Sequence, residues 1–184
     1  MRLFFAVELP PDVQAALGRL KPRDDDRAYR WSDPSLLHVT LAFLGEQPSE
    51  RLETLERVGS SVAAASRPGV LRLGEAGSFG SRRAPRVLWV GLDGDVQAMA
   101  DLQARLDTAL RGVDLALEDR PFRAHITLAR RRESAPPGPA PDWPPSHGMT
   151  HLSFRMHQLT LFQSRLSPRG PTYTPLFQFP LGSA

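Results

Sequence analysis

The pentapeptide His38-Val39-Thr40-Leu41-Ala42 returns almost unchanged as His125-Ile126-Thr127-Leu128-Ala129. Polar and apolar residues alternate through the first four positions of each copy, and the second position is β-branched, so both read as half-buried β-strands. In a strand, residues i and i+2 share a face. His38 therefore lies with Thr40 and His125 with Thr127, while Val39, Leu41, Ile126 and Leu128 face a core. Five histidines and eight threonines in 184 residues predict only roughly 0.2 His-x-Thr spacings from composition. Two copies that also share Leu-Ala point to a chain of two related halves, each presenting a His-Thr pair to one cleft.

The rest of the chain fits that division. Residues 2–9 read as a buried strand, and Pro11 and Asp12 mark the start of a short helix. A strand from about Leu36 to Leu44 carries the first motif. A helix follows, with Leu52, Leu55, Val58 and Val62 on one face. Residues 69–80 and 86–94 read as strands flanking an exposed 81–86 loop. Val96, Met99, Leu102, Leu106 and Leu110 form the stripe of a second amphipathic helix ended by Gly112. The strand of the second motif comes next, then a proline-rich loop over about 131–151, and 152–166 and 173–181 supply the closing strands. This order favours an α+β or α/β architecture of two lobes, each a small sheet backed by a helix.

Composition narrows the chemistry. There is no cysteine, which removes disulfides and thiolate chemistry. The N-terminal apolar run is too short for a signal-peptide core or a membrane span, so a cytoplasmic protein without membrane attachment is expected. No long apolar stripe is left over once the core is assigned, so a monomer is expected. All but one of the 23 basic residues are arginine, whose guanidinium fork matches phosphate oxygens.

Two imidazoles and two hydroxyls facing one cleft suit phosphoester cleavage without a metal. One neutral histidine can take a proton from the nucleophile while the other, protonated, gives one to the leaving oxygen. The hydroxyls can donate to the non-bridging oxygens, where negative charge grows. Arg123 and the Arg130–Arg132 run lie near in sequence to add anion stabilisation. A zinc site on His38 and His125 is the rival reading, but two histidines usually recruit a carboxylate or third histidine, and these motifs offer only hydroxyls. His147, His151 and His157 lack a hydroxyl at the same spacing and read as solvated or packing residues.

Both motifs, together with "RWSDPSLLHVTLAFLGE", "APRVLWVGL", "DRPFRAHITLAR" and "GPTYTPLFQF", resemble the 2H phosphoesterase superfamily, and within it the bacterial and archaeal RNA 2′,3′-cyclic phosphodiesterases. The resemblance spans nearly the whole chain as one domain, 1–184. It implies an α+β, bilobal fold of two pseudo-symmetric antiparallel sheets, each backed by helices, with a cleft between them. It also implies hydrolysis of a 2′,3′-cyclic phosphate, on RNA 3′ ends or nucleotides, to a 2′-phosphate with no cofactor and no metal. His38 would protonate the departing 3′ oxygen and His125 would activate water. Thr40, Thr127 and Arg130 would bind phosphate, although strict alternation from His125 turns Arg130 away from the cleft unless the strand carries a bulge. Phe43, Trp31 and Tyr173 are candidates for base stacking, with ordinary packing as the alternative. Two other functions use the same cleft: a nucleotide- or RNA-binding module, and 2′-5′ RNA ligation with a 5′-hydroxyl in place of water.

Overall fold

The computed structural model describes residues 1–21, 28–81, 83–138, 143, 152–168 and 170–182. Most of the expected 131–151 loop, with His147 and His151, lies outside the described residues. Strand β1 (Arg2–Glu8) is flanked by β3 (His38–Glu46) and β8 (Gln158–Ser167), and β9 (Gly170–Pro180) lies beyond β8. The second half runs from β7 (Ser153–Met156) through β4 (Gly69–Ser81) and β5 (Ala84–Gly94) to β6 (His125–Arg131), with β2 (Tyr29–Trp31) also beside β6. Every strand pairing among the described residues is antiparallel.

The two expected sheet halves are both present, and they meet. Val39 of β3 pairs with Ile126 of β6, which joins the halves into one sheet, of nine strands among the described residues. Both motifs thus lie side by side at the seam. The bounds differ from the sequence reading at several places, among them the 152–166 segment, which divides into β7 beside β4 and β8 beside β1. Pro34–Leu36 forms a 3-10 turn capped by the Asp33 carboxylate, which accepts from the Ser35 amide at 2.9 Å, so β3 begins at His38. The expected 81–86 loop contracts, because β4 and β5 extend to Ser81 and Ala84.

Helices α1 (Pro11–Gly18), α2 (Leu52–Ala64) and α3 (Val96–Arg111) supply the other layer. Leu55, Val58 and Val62 of α2 and Met99, Leu102, Leu106 and Leu110 of α3 are buried, as their helical spacing requires. The helices do not divide cleanly between the halves, because α3 packs on strands of both. Helix α2 packs on β8 and β9, α3 packs on β3 and β4, and the two touch each other. Gly59 permits the approach of α2 to β9, since a Cβ there would run into the Phe179 ring. Val39, Leu41, Ile126 and Leu128 belong to the same core as both helices. The seam makes the apolar faces of the halves contiguous, so one core replaces two. No described helix is long and apolar enough to cross a membrane.

Candidate active site

On the face of β3 and β6 turned from that core, His38, Thr40, His125 and Thr127 are all partly buried. Their local geometry repeats across the seam. The His38 Nδ1–H donates to the Leu36 carbonyl at 2.7 Å, and the His125 Nδ1–H donates to the Arg123 carbonyl at 2.7 Å. A carbonyl only accepts, so each bond fixes the proton on Nδ1 and leaves Nε2 for chemistry. The His38 Nε2 lies 3.0 Å from the Thr40 hydroxyl.

A second repetition sets the direction of the side chains just beyond each motif. Phe5 pairs with Ala42 but Ala6 with Thr40, so Leu41 is an extra residue on β3. Leu88 pairs with Ala129 but Trp89 with Thr127, so Leu128 is an extra residue on β6. The same leucine of each motif forms a β-bulge, which reverses the alternation beyond it. Phe43 then pairs with Phe4, and Arg130 with Val87, which puts both side chains on the histidine face. Arg130 thereby reaches the site that simple alternation denies it.

The walls of the site were harder to foresee. Phe4 lies 4.9 Å from the His38 ring and Tyr173 lies 5.3 Å from it, edge on, with Phe162 behind them. Phe79 stands edge on to His125 at 5.0 Å, and Trp89 is 6.4 Å away with the Arg123 guanidinium over it at 4.3 Å. Phe4 hides in an apolar run that reads as buried on both faces. Phe43 remains 49% exposed at a cavity of about 440 Å³ bounded by Thr40, Phe79, Gln103, Phe122 and His125. Trp31 instead packs against Trp143 at 6.0 Å and the core. Arg131 covers the Tyr29 ring and donates to the Pro136 and Gly138 carbonyls, so of the Arg130–Arg132 run it is Arg130 that bears on both histidines. His157 sits exposed between β7 and β8, its Nδ1–H donating to the Arg155 carbonyl at 3.1 Å.

Burial holds both histidines below the ordinary imidazole range. For His38 the Leu36 carbonyl works against this, while the charges of Arg130 and His125 add to it. For His125 the Arg123 carbonyl opposes burial, and Arg130 and Arg123 reinforce it. The site is thus short of negative charge, and an anion between the histidines would stabilise their protonated forms. Among the described residues no group of three or more His, Asp or Glu side chains is placed to hold a metal.

The sequence carries the same duplication as the geometry. Residues 7–89 and 90–173 each match the LigT-like phosphoesterase family, one His-x-Thr motif falling in each match. An RNA 2′,3′-cyclic phosphodiesterase of Thermus thermophilus is 36% identical over 98% of this chain and 90% of its own length. Among solved structures, a protein of the same organism superposes with a TM-score of 0.80 at 34% identity, covering 100% of this chain and 99% of that one. Escherichia coli LigT, crystallised with 3′-AMP, gives a TM-score of 0.75 at 27% identity, covering 98% of each chain.

Proposed function

This chain belongs to the LigT-like phosphoesterase family, and from that premise we propose that it hydrolyses the 2′,3′-cyclic phosphate of RNA ends or nucleotides, leaving a 2′-phosphate. The observation that carries the reading is the pair of Nδ1-anchored histidines, one on each side of the β3–β6 seam. The cyclic phosphate lies between them. His125 Nε2 takes a proton from water as the water oxygen bonds to phosphorus. The bond from phosphorus to O3′ breaks, and protonated His38 delivers its Nε2 proton to that oxygen. The hydroxyls of Thr40 and Thr127 donate to the non-bridging oxygens, and Arg130 offsets the charge gathering there. The net change adds one water, and the two histidines exchange protonation states.

Nothing in these steps calls for a metal, and among the described residues no third histidine or carboxylate is placed with His38 and His125 to hold one, which supports a metal-independent reaction. The test is an RNA ending in a 2′,3′-cyclic phosphate, incubated with and without EDTA, with the product phosphate located. A 2′-phosphate formed at equal rates in both is expected. A 3′-phosphate reverses the leaving group, strong inhibition by EDTA overturns the metal-free step, and tight binding without turnover makes the protein a binding module.

A further inference from the structure

Three arginines outside the His-Thr motifs' own pentapeptides share one corner of the histidine face. Arg30 of β2 pairs directly with Arg130 of β6, and register puts both on the side of β6 that carries His125 and Thr127. Like charges directly opposite destabilise a ladder. Among the described residues neither guanidinium is paired with a carboxylate. Arg30 reaches across to the other half of the sheet, where its guanidinium crowds the Cα of Gly170 in the β8–β9 turn, at a point where a Cβ would lie 2.7 Å from it.

From that other half, Arg2 pairs with Ser164 and Ser164 with Tyr173, so Arg2 and Tyr173 share the face that carries Phe4 and His38. Glu46, the neighbour of Arg2 on β3, is engaged with the Met1 amine at 3.2 Å. Burial raises the Tyr173 hydroxyl, and Arg130, Arg2 and Arg30 all oppose that shift, as expected if the three charges surround it. Tyr173 also touches His38. The corner therefore begins where the proposed leaving-group side of the reaction ends.

We propose that Arg30, Arg2 and the Tyr173 hydroxyl form a second phosphate subsite that holds the 5′-phosphate of the terminal nucleotide, beside the Arg130 that serves the reacting phosphate. The inference rests on the reading that the cleft binds a nucleotide phosphate between the histidines. A 5′-phosphate is the one further anion that every terminal nucleotide of an RNA carries and a cyclic mononucleoside phosphate lacks. The subsite thus makes the enzyme favour RNA ends over free cyclic mononucleotides, with no base read.

The probes are adenosine 2′,5′-bisphosphate and adenosine 2′-monophosphate, titrated into the protein by calorimetry. The wild-type chain is expected to bind the bisphosphate about tenfold tighter, as added charge-assisted hydrogen bonds require. The ratio falls toward one in Arg30→Ala and in Arg30→Ala with Arg2→Ala, and is partly kept in Arg30→Lys. A wild-type ratio near one, or a ratio that Arg30→Ala leaves unmoved, overturns the subsite. Hydrolysis of a 2′,3′-cyclic nucleotide by the same wild-type sample is read separately. Its loss with the ratio intact removes the catalytic reading alone, and failure to bind either probe removes both.

Discussion

Val39 and Ile126 pair across the seam, and that contact between β3 and β6 aligns the two halves of the site. Extending the antiparallel register by one residue sets His38 against Thr127 and Thr40 against His125. Each imidazole thus stands beside the hydroxyl of the other motif across the seam. In the proposed reaction the duplicated pentapeptide presents proton-transfer groups to opposite sides of one phosphorus.

Removing either imidazole should stop the reaction from either side. His38→Ala and His125→Ala are each expected to slow hydrolysis by about 10²–10⁴-fold, the usual contribution of a positioned acid or base. The double variant should be little slower than either single, because the two act in one step. Thr40→Val and Thr127→Val should each cost about 10²–10³-fold if the hydroxyls hold the developing charge. Single-turnover rates on a cyclic dinucleotide end decide this, and a double variant whose losses multiply would show that the histidines act in separate steps.

Arg130 offers a test that does not depend on turnover. Its charge lowers both His38 and His125, so Arg130→Ala should raise the titration midpoint of each, while kcat/KM falls. Inorganic phosphate should raise both midpoints in the wild-type protein and less so in the variant. Imidazole proton shifts followed by NMR against pH give the answer, and midpoints that stay put on loss of Arg130 would place its guanidinium away from the pair.

What the sequence disclosed was local, and what it concealed depended on pairing. Strand alternation sorts His38 and Thr40 from Val39 and Leu41 within four residues, and the structure buries the same set. The same rule sends Arg130 to the wrong face, because the bulge at Leu128 is defined only by register with β5. Arg2 and Arg30 carried no signal at all, since their neighbours in the site come from β8, β9 and β6. The shared core of α2 and α3 was hidden for the same reason: each stripe was legible, but only the Val39–Ile126 seam makes their targets continuous.

Phe43 is carried by its motif's bulge onto the histidine face, where its ring meets Phe4 at 5.7 Å and stays half exposed. Phe43→Ala should weaken substrate binding by about 1–3 kcal/mol, the range for base stacking on an aromatic side chain. KM should rise with kcat little changed, and Trp31→Ala, which removes a ring packed on Trp143, should act on stability instead. Steady-state kinetics beside thermal melting separates the two, and a Phe43 variant with normal KM would remove it from the nucleotide site.

The burial that depresses His38 also links folding to pH. In the unfolded chain the imidazole titrates near about 6.5, and in the folded chain it resists protonation, chiefly through burial. Below the unfolded value the unfolded state binds a proton that the folded state does not, so stability that is complete above about pH 6.5 declines as pH falls and levels off below the folded value. His125 acts in the same direction. Urea midpoints of the ligand-free protein should therefore drop between pH 8 and pH 5, and His38→Gln, which keeps a polar group but no titration, should drop less. Added phosphate should flatten the wild-type curve, since it binds the protonated pair in the folded state alone. A His38→Gln curve parallel to wild type would mean that His38 is as free to take a proton in the fold as outside it.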